Sequence, residues 1–432
     1  MPLAAWIAVC AVASFALRRH TAVAIVLILA LRVLVPSVAS AVVVGRAPSS
    51  LAFHPAVWLI GTTLVITVLS HGAALVRTVA QHVFLVLTLV LVVTVAVLTT
   101  KTSIAGSGVV LLIDQVAAPV GLFLLIVTTC RADRRAFTTL RNALLGLAAM
   151  SAGLAIAQWL TNSVIFYGTY YATDYWFLYR GFDRWMATLD HPLTLSFFLC
   201  IAAPLTVGIA STWWRITLLT LSTMAVVITQ SRTGVIVIGL TIVYVILRSR
   251  ASALAKAAMY AVLTIGTFVL VASPVAAGIV GRFQNDTGSS EARAAAYQFF
   301  FDHWTQYFFT GGGVTSSYRI AQAAGLGTSL ESSFLMYSVD IGIVFATLYF
   351  GSQLVIVLRG PGRSAVPGLA VASVIALVLP HTYSALAAAS AVGALLWTVL
   401  GLVVASYDIS HLPTPPELGQ APGTKHELAL AT

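Results

Sequence analysis

Apolar blocks about as long as a bilayer is thick recur along this chain, separated by short polar breaks. That repetition constrains the fold more than any motif does. Of the 432 residues 59% are hydrophobic and only 8% charged, whereas a soluble domain carries about 25% charge to cover its surface. The blocks lie near residues 2–17, 21–45, 55–70, 83–99, 107–129, 138–160, 193–210, 216–230, 234–247, 257–279, 334–358, 366–380 and 384–406. The sequence therefore predicts an all-α, polytopic transmembrane helical bundle of 12–13 spans, with a membrane domain over residues 1–407. The first block is short. With no small-residue cleavage site and no soluble domain after it, it reads as a span and not as a removed signal peptide.

The net charge of +10 is a record of topology here rather than a sign of nucleic acid, because cytoplasmic loops collect Lys and Arg. One set of alternate breaks holds Arg18, Arg19, Arg77, Arg131, Arg134, Arg135, Arg141, Arg215, Arg248, Arg250, Lys256, Arg359 and Arg363. The short breaks of the other set hold only Arg46, Lys101 and Arg232. The first set is expected inside, which puts the N-terminus outside and the C-terminus in the cytoplasm. Merging two N-terminal blocks gives twelve spans and an inside N-terminus. From Asp408 onward, Pro413, Pro415, Pro416, Gly419, Pro422 and Gly423 predict a disordered cytoplasmic tail over residues 408–432. Cys10, Cys130 and Cys200 fall in or at the ends of blocks, lack metal-ligand spacing, and read as packing residues.

Two breaks are long, residues 161–192 and 280–333, and parity assigns both to the outside. The first carries Tyr167, Tyr170, Tyr171, Tyr175, Trp176, Phe177 and Tyr179. The second carries Tyr297, Phe299, Phe300, Phe301, Trp304, Tyr307, Phe308 and Phe309. Such aromatics suit either a headgroup-level belt or a platform for sugar rings. A helix is expected near 290–304, capped by Ser289 or Ser290, with Glu291 in its first turn and Gly311-Gly312-Gly313 ending the stretch.

Ionisable residues at membrane depth are costly and default to paired or functional roles. Arg32, Asp114 and Asp340 are the cases here: Asp114 is expected to pair with Arg32, and Asp340 with a neighbouring helix. Arg232 stands apart. It lies in the break Ser231-Arg232-Thr233-Gly234, on the side that otherwise avoids cations. An arginine so placed either snorkels to the interface or grips an anion such as a lipid phosphate, whose oxygens match its forked donors. The second long loop adds Arg282, Glu291, Arg293, Asp302, Arg319 and Glu331. Glu331 stands just before a span, either as a solvated boundary residue or as a general base. The Gly311–Gly313 run follows no strand and opens no phosphate-cradling helix, so it is not a nucleotide loop. No His/Cys/Asp/Glu cluster has metal spacing, and neither metal nor cofactor is expected.

Over roughly residues 107–360 the chain resembles the O-antigen ligase/O-antigen polymerase family of bacterial membrane proteins. Four pieces carry the resemblance: Asp190-His191-Pro192 leading into a span; Gln230-Ser231-Arg232-Thr233-Gly234; Glu291-Ala292-Arg293 with Trp304 and Gly311-Gly312-Gly313; and Glu331-Ser332-Ser333-Phe334-Leu335 through Asp340-Ile341-Gly342. The resemblance implies a GT-C-like transferase in the bacterial inner membrane. It would join undecaprenyl-pyrophosphate-linked glycans on the outer face without metal or nucleotide. By the same resemblance Arg232 and Arg293, with Arg319 and Arg180, hold the pyrophosphate, and Glu331 deprotonates the acceptor hydroxyl. The ligase pattern has His at the Glu331 position and Asn where this chain has Ser332, so a carboxylate leans the reading toward a polymerase. Membrane lipid and a chain-length regulator or other envelope-assembly protein are the partners implied, and no nucleic acid. The competing class is a transporter or flippase for a lipid-linked or anionic substrate. Such folds show internal symmetry and paired broken spans, and neither is evident here.

Overall fold

The computed structural model describes residues 2–45, 48, 51–100, 107–172, 184–249, 252–254, 256–257, 259–261, 264, 287–326, 329–360 and 366–411. Arg180 and most of the 257–279 block lie outside them. The protein is an all-α polytopic membrane protein, with no strand among the described residues. In hydrocarbon every backbone N–H and C=O needs an internal partner, which helices provide. Pro55–Gln81, Gly108–Ala132 and Arg135–Thr161 are each long and apolar enough to cross a membrane unaided. The remaining apolar helices are shorter, at 10–17 residues.

The breaks in these helices have identifiable causes. Thr21–Leu34 and Ser37–Val44 meet at 95°, because Pro36 holds Val35 in extended backbone (φ −107, ψ 110). A π-turn over Ile113–Ala117 interrupts Gly108–Ala132 just before Pro119. It turns two side chains to separate uses. Arg32 Nη2 donates to the Asp114 carbonyl at 2.8 Å and to its Oδ1 at 3.4 Å, which is the pairing expected from the sequence. Gln115 reaches across to the Ser390 carbonyl (2.8 Å) and takes the Gly393 N–H (3.3 Å). Val392–His411 lies along Ala118–Ala132 at the centre of the core. Its buried Trp397 meets Phe123 edge-on at 5.4 Å and donates to Tyr349 Oη at 3.1 Å.

Several sequence expectations change. The 334–358 block is two helices, Ser333–Ile341 and Ile343–Arg359, parted at Gly342 with φ 100°. The break exists because the Phe309–Thr310 backbone lies against Gly342, where a Cβ would sit 2.7 Å from the Phe309 carbonyl oxygen. The last helix starts at Val392, so 384–391 is not helical. The helix expected near 290–304 is Thr287–His303, so Ser289 and Ser290 lie inside it and do not cap it; a 3-10 turn, Trp304–Tyr307, follows. Tyr171 belongs to no aromatic belt: it is fully buried and donates to the Leu189 carbonyl at 3.2 Å. Val392–His411 carries helix through Asp408, whose carboxylate His82 (3.1 Å) and Arg131 (3.4 Å) both hold.

Candidate functional site

One end of the bundle gathers the residues singled out in the sequence. Pro192–Ala202 begins there, Thr212–Ile228 ends there and Arg232–Arg248 begins there. The first helix is capped by His191 Nδ1 on the Leu193 N–H (3.0 Å), the third by Ser231 Oγ on the Gly234 N–H (3.1 Å). Gly234 presses on Ser196, leaving no room for a Cβ. The Gln-Ser-Arg-Thr-Gly motif thus has a structural half, a capping serine and a contact glycine, and those two residues set half-buried Arg232 in the first turn. Arg184 ties the end of the first long loop to this corner through the Thr229 carbonyl (2.8 Å).

Asp340 finds its partner on a neighbouring helix, as expected, and that helix belongs to the second long loop. Its carboxylate accepts the Ser317 N–H (2.7 Å), the Ser316 hydroxyl (3.1 Å) and the Thr315 N–H (3.2 Å). It therefore caps the loop helix Ser316–Ala323, where free N–H groups and the helix dipole favour an anion. The glycine run completes the joint. Gly312 and Gly313 N–H groups bond the Val339 and Asp340 carbonyls at 2.9 and 2.8 Å, and Gly311 lies so close to the Asp340 backbone that any Cβ would collide. The run and the Asp-Ile-Gly motif are two faces of one contact that docks the second long loop onto the bundle. Beneath it, a cavity lined by Val92, Leu112, Tyr337, Asp340 and Leu386 is too small for a sugar ring.

The hub of this end is a segment that the sequence reading passed over, residues 379–391. It opens with the 3-10 turn Leu379–Thr382 and runs irregularly to Val392. Backbone of this kind is tolerated in a membrane protein only where protein or a polar cavity satisfies it. Buried Ser333 does much of that: its Oγ lies 2.8 Å from the Pro380 carbonyl and 3.1 Å from that of Tyr383, and accepts the Leu386 N–H at 3.2 Å. Tyr337 Oη donates to the Leu386 carbonyl (3.2 Å), and Tyr383 Oη to the Leu193 carbonyl (3.3 Å). Ser384 meets Ser329 (3.5 Å) and the Tyr318 hydroxyl.

The sequence-predicted residues sit around this segment at different removes. Arg293 touches it: Nη2 donates to the Thr382 carbonyl at 3.3 Å. Its buried Nε has no hydrogen-bond partner among the described residues. Glu331 is half-buried beside the segment. It adopts left-handed backbone (φ 52°), and its N–H is held by Ser329 Oγ at 3.1 Å. Its carboxylate bears on Tyr318, whose hydroxyl is pushed up to about 12, chiefly by burial. Arg232 joins at one remove, through Pro192–Ala202, which contacts Tyr383 at Leu193 and Gly234 at Ser196. Arg319 is exposed on Ser316–Ala323.

Residues 217–350 match the O-antigen ligase family. Over that stretch, less than half of the chain, the protein is similar to O-antigen ligases. The match supports a membrane glycan-assembly enzyme with lipid-linked glycan substrates. No curated protein matches the chain. The matched stretch takes in Arg232, Arg293, Arg319, Glu331 and Asp340. The 379–391 hub lies beyond it. His381, Thr382, Tyr383 and Ser384 had one sequence signal, a polar run behind Pro380 where two apolar blocks almost touch. Reading it as a minimal turn hid it. Among the described residues no cluster could hold a metal ion.

Proposed function

We propose that this protein is a polysaccharide polymerase, extending a glycan on its undecaprenyl-pyrophosphate carrier at the outer face of the bacterial inner membrane. The observation that carries the reading is the convergence of Arg293 and the stretch from Ser329 to Glu331 on one irregular polar segment set among membrane helices. In this reading an acceptor sugar hydroxyl attacks the anomeric carbon of the donor. The bond from that carbon to the phosphate oxygen breaks, its electron pair leaves with undecaprenyl pyrophosphate, and the hydroxyl proton passes to Glu331. Fixed cations in a low-dielectric site stabilise the charge that develops on the leaving pyrophosphate. Arg293 and Arg232 supply that stabilisation, with Arg319 and Arg180 as the further pyrophosphate-binding residues that the sequence resemblance implies. Attack from the face opposite the leaving group inverts the anomeric centre.

The experiment is chain-length analysis in cells that depend on this protein. Arg232→Ala and Arg293→Ala are expected to leave protein in the membrane and the polysaccharide at one repeat. Normal-length polysaccharide from both variants would contradict the assignment. The matched family is described as ligase, so the acceptor is the other variable. Transfer of a finished chain to a different lipid would make this a ligase, and movement without a new bond would make it a transporter.

A further inference from the structure

The structure points to His381 as a second phosphate-binding residue, paired with Arg293, and we propose that the two hold the donor's pyrophosphate together. This rests on the reading of the site as one for a polyprenyl-pyrophosphate donor. It extends that reading to a residue outside the family match.

Three observations carry it. First, the imidazole is fixed: its ring stands edge-on to Phe350 with centroids 4.6 Å apart, inside the 3-10 turn Leu379–Thr382. Second, its Nδ1 is buried and makes no hydrogen bond among the described residues. A buried polar nitrogen without a partner costs free energy, and native proteins keep few of them. Third, the next residue in the chain, Thr382, offers the carbonyl that orients Arg293, whose own Nε is likewise buried and unpartnered. Arg293 thus reaches the residue next to His381, each of the two side chains keeps a buried nitrogen without a hydrogen bond, and no carboxylate is in ion-pair contact with Arg293 among the described residues.

Arginine fork and imidazole N–H complement one another on a phosphate. The guanidinium brings charge and a planar pair of donors. A neutral imidazole protonated at Nδ1 brings one directed donor. The titratable groups on the surrounding elements are Arg293, Glu331, Tyr337, Asp340, Tyr349 and Tyr383. Asp340 is committed to Ser316–Ala323, Tyr337 and Tyr383 to carbonyls, and Tyr349 to Trp397. Arg293 remains to meet a ligand beside His381.

The test is binding of farnesyl pyrophosphate to the full chain purified in lipid nanodiscs. His381→Ala and His381→Phe should each weaken it by at least ~10-fold, the loss expected for one hydrogen bond to a charged group. Phe keeps the ring packing on Phe350, so it separates lost bonding from lost folding. His381→Asn, whose amide falls near Nδ1, should bind within ~3-fold of the unmodified protein, while His381→Gln, reaching toward Nε2, should not. Unchanged affinity in both the Ala and Phe variants, or equal rescue by Asn and Gln, would overturn the proposal. Arg293→Ala distinguishes the two levels of claim. If it loses binding and the His381 variants do not, only this inference fails. If it binds normally, the pyrophosphate reading of the site fails with it.

Discussion

Arg32 lies within the helical bundle and Arg293 on the loop helix Thr287–His303, and their partners differ in one respect that separates a structural charge from a functional one. Arg32 is 2% exposed and faces a carboxylate: Asp114 takes its Nη2 on both backbone and side chain, and the same Oδ1 also accepts the His54 N–H at 3.4 Å. Nearby, buried Asp190 accepts the Val38 N–H at 3.3 Å. The charges of Arg32 and Asp114 offset one another there, although Arg32 Nε and Nη1 are also buried without a hydrogen bond among the described residues. Arg293 has a carbonyl for a partner and, among the described residues, no acid in ion-pair contact. An arginine balanced internally holds helices together, whereas one left unbalanced beside a buried polar segment is poised for an anion from outside.

The difference is most exposed by removing each arginine in turn. Arg32→Ala leaves Asp114 buried without its cation, a change that costs about 3–5 kcal/mol, and it should appear as a large fall in the melting temperature of the purified protein. Arg293→Ala should leave the melt within about 0.5 kcal/mol, as for substitutions that break no buried network, while losing glycan transfer by ~100-fold or more. Equal melts for the two variants would erase the distinction. Ser333→Ala strands the Leu386 N–H and loosens the 379–391 hub, at about 1–3 kcal/mol. Because the hub orients Arg293 through Thr382, this variant should lose donor affinity as well as stability, and a loss of stability alone would mean that the hub does not shape the site.

The smallest effect expected is in pH dependence. Burial pushes the Asp190 carboxyl up to about 7 from an ordinary 3.8, against the hydrogen bonds from Ser37 and Val38 and the pull of Arg32. The folded state thus keeps a proton that the unfolded chain releases. Stability is highest below the unfolded value and declines as pH rises from about 4 to about 7, then levels off. Asp190→Asn should flatten that slope in melts taken across the window. An unchanged slope would place the titration elsewhere.

Much of the fold was legible because the membrane imposes a period and a length. Every apolar block but 257–279, which lies mostly outside the described residues, carries helix. The Arg32–Asp114 pair could also be read, since charges at that depth must find each other. What escaped was geometry set by backbone contact. Nothing in the spacing of Gly311–Gly313 and Gly342 announces that they close on one another across the Phe309–Thr310 and Val339–Asp340 backbones. Asp340 could be read as a residue for a neighbouring helix, but the sequence did not say that this helix is one in the loop, which the glycines bring within reach. The 379–391 segment escaped for a related reason. Its Ala- and Ser-rich run is apolar enough to pass for helix, yet the backbone is fixed by Ser333 and Tyr337 from a distant part of the chain.

The most direct test of the central claim is chain growth from purified lipid-linked repeat units, with the unmodified protein and Arg293→Ala compared at equal amounts and equal melting temperature. The account predicts polysaccharide of many repeats from the first and none beyond the starting unit from the second. Equal chain growth by the two would contradict it.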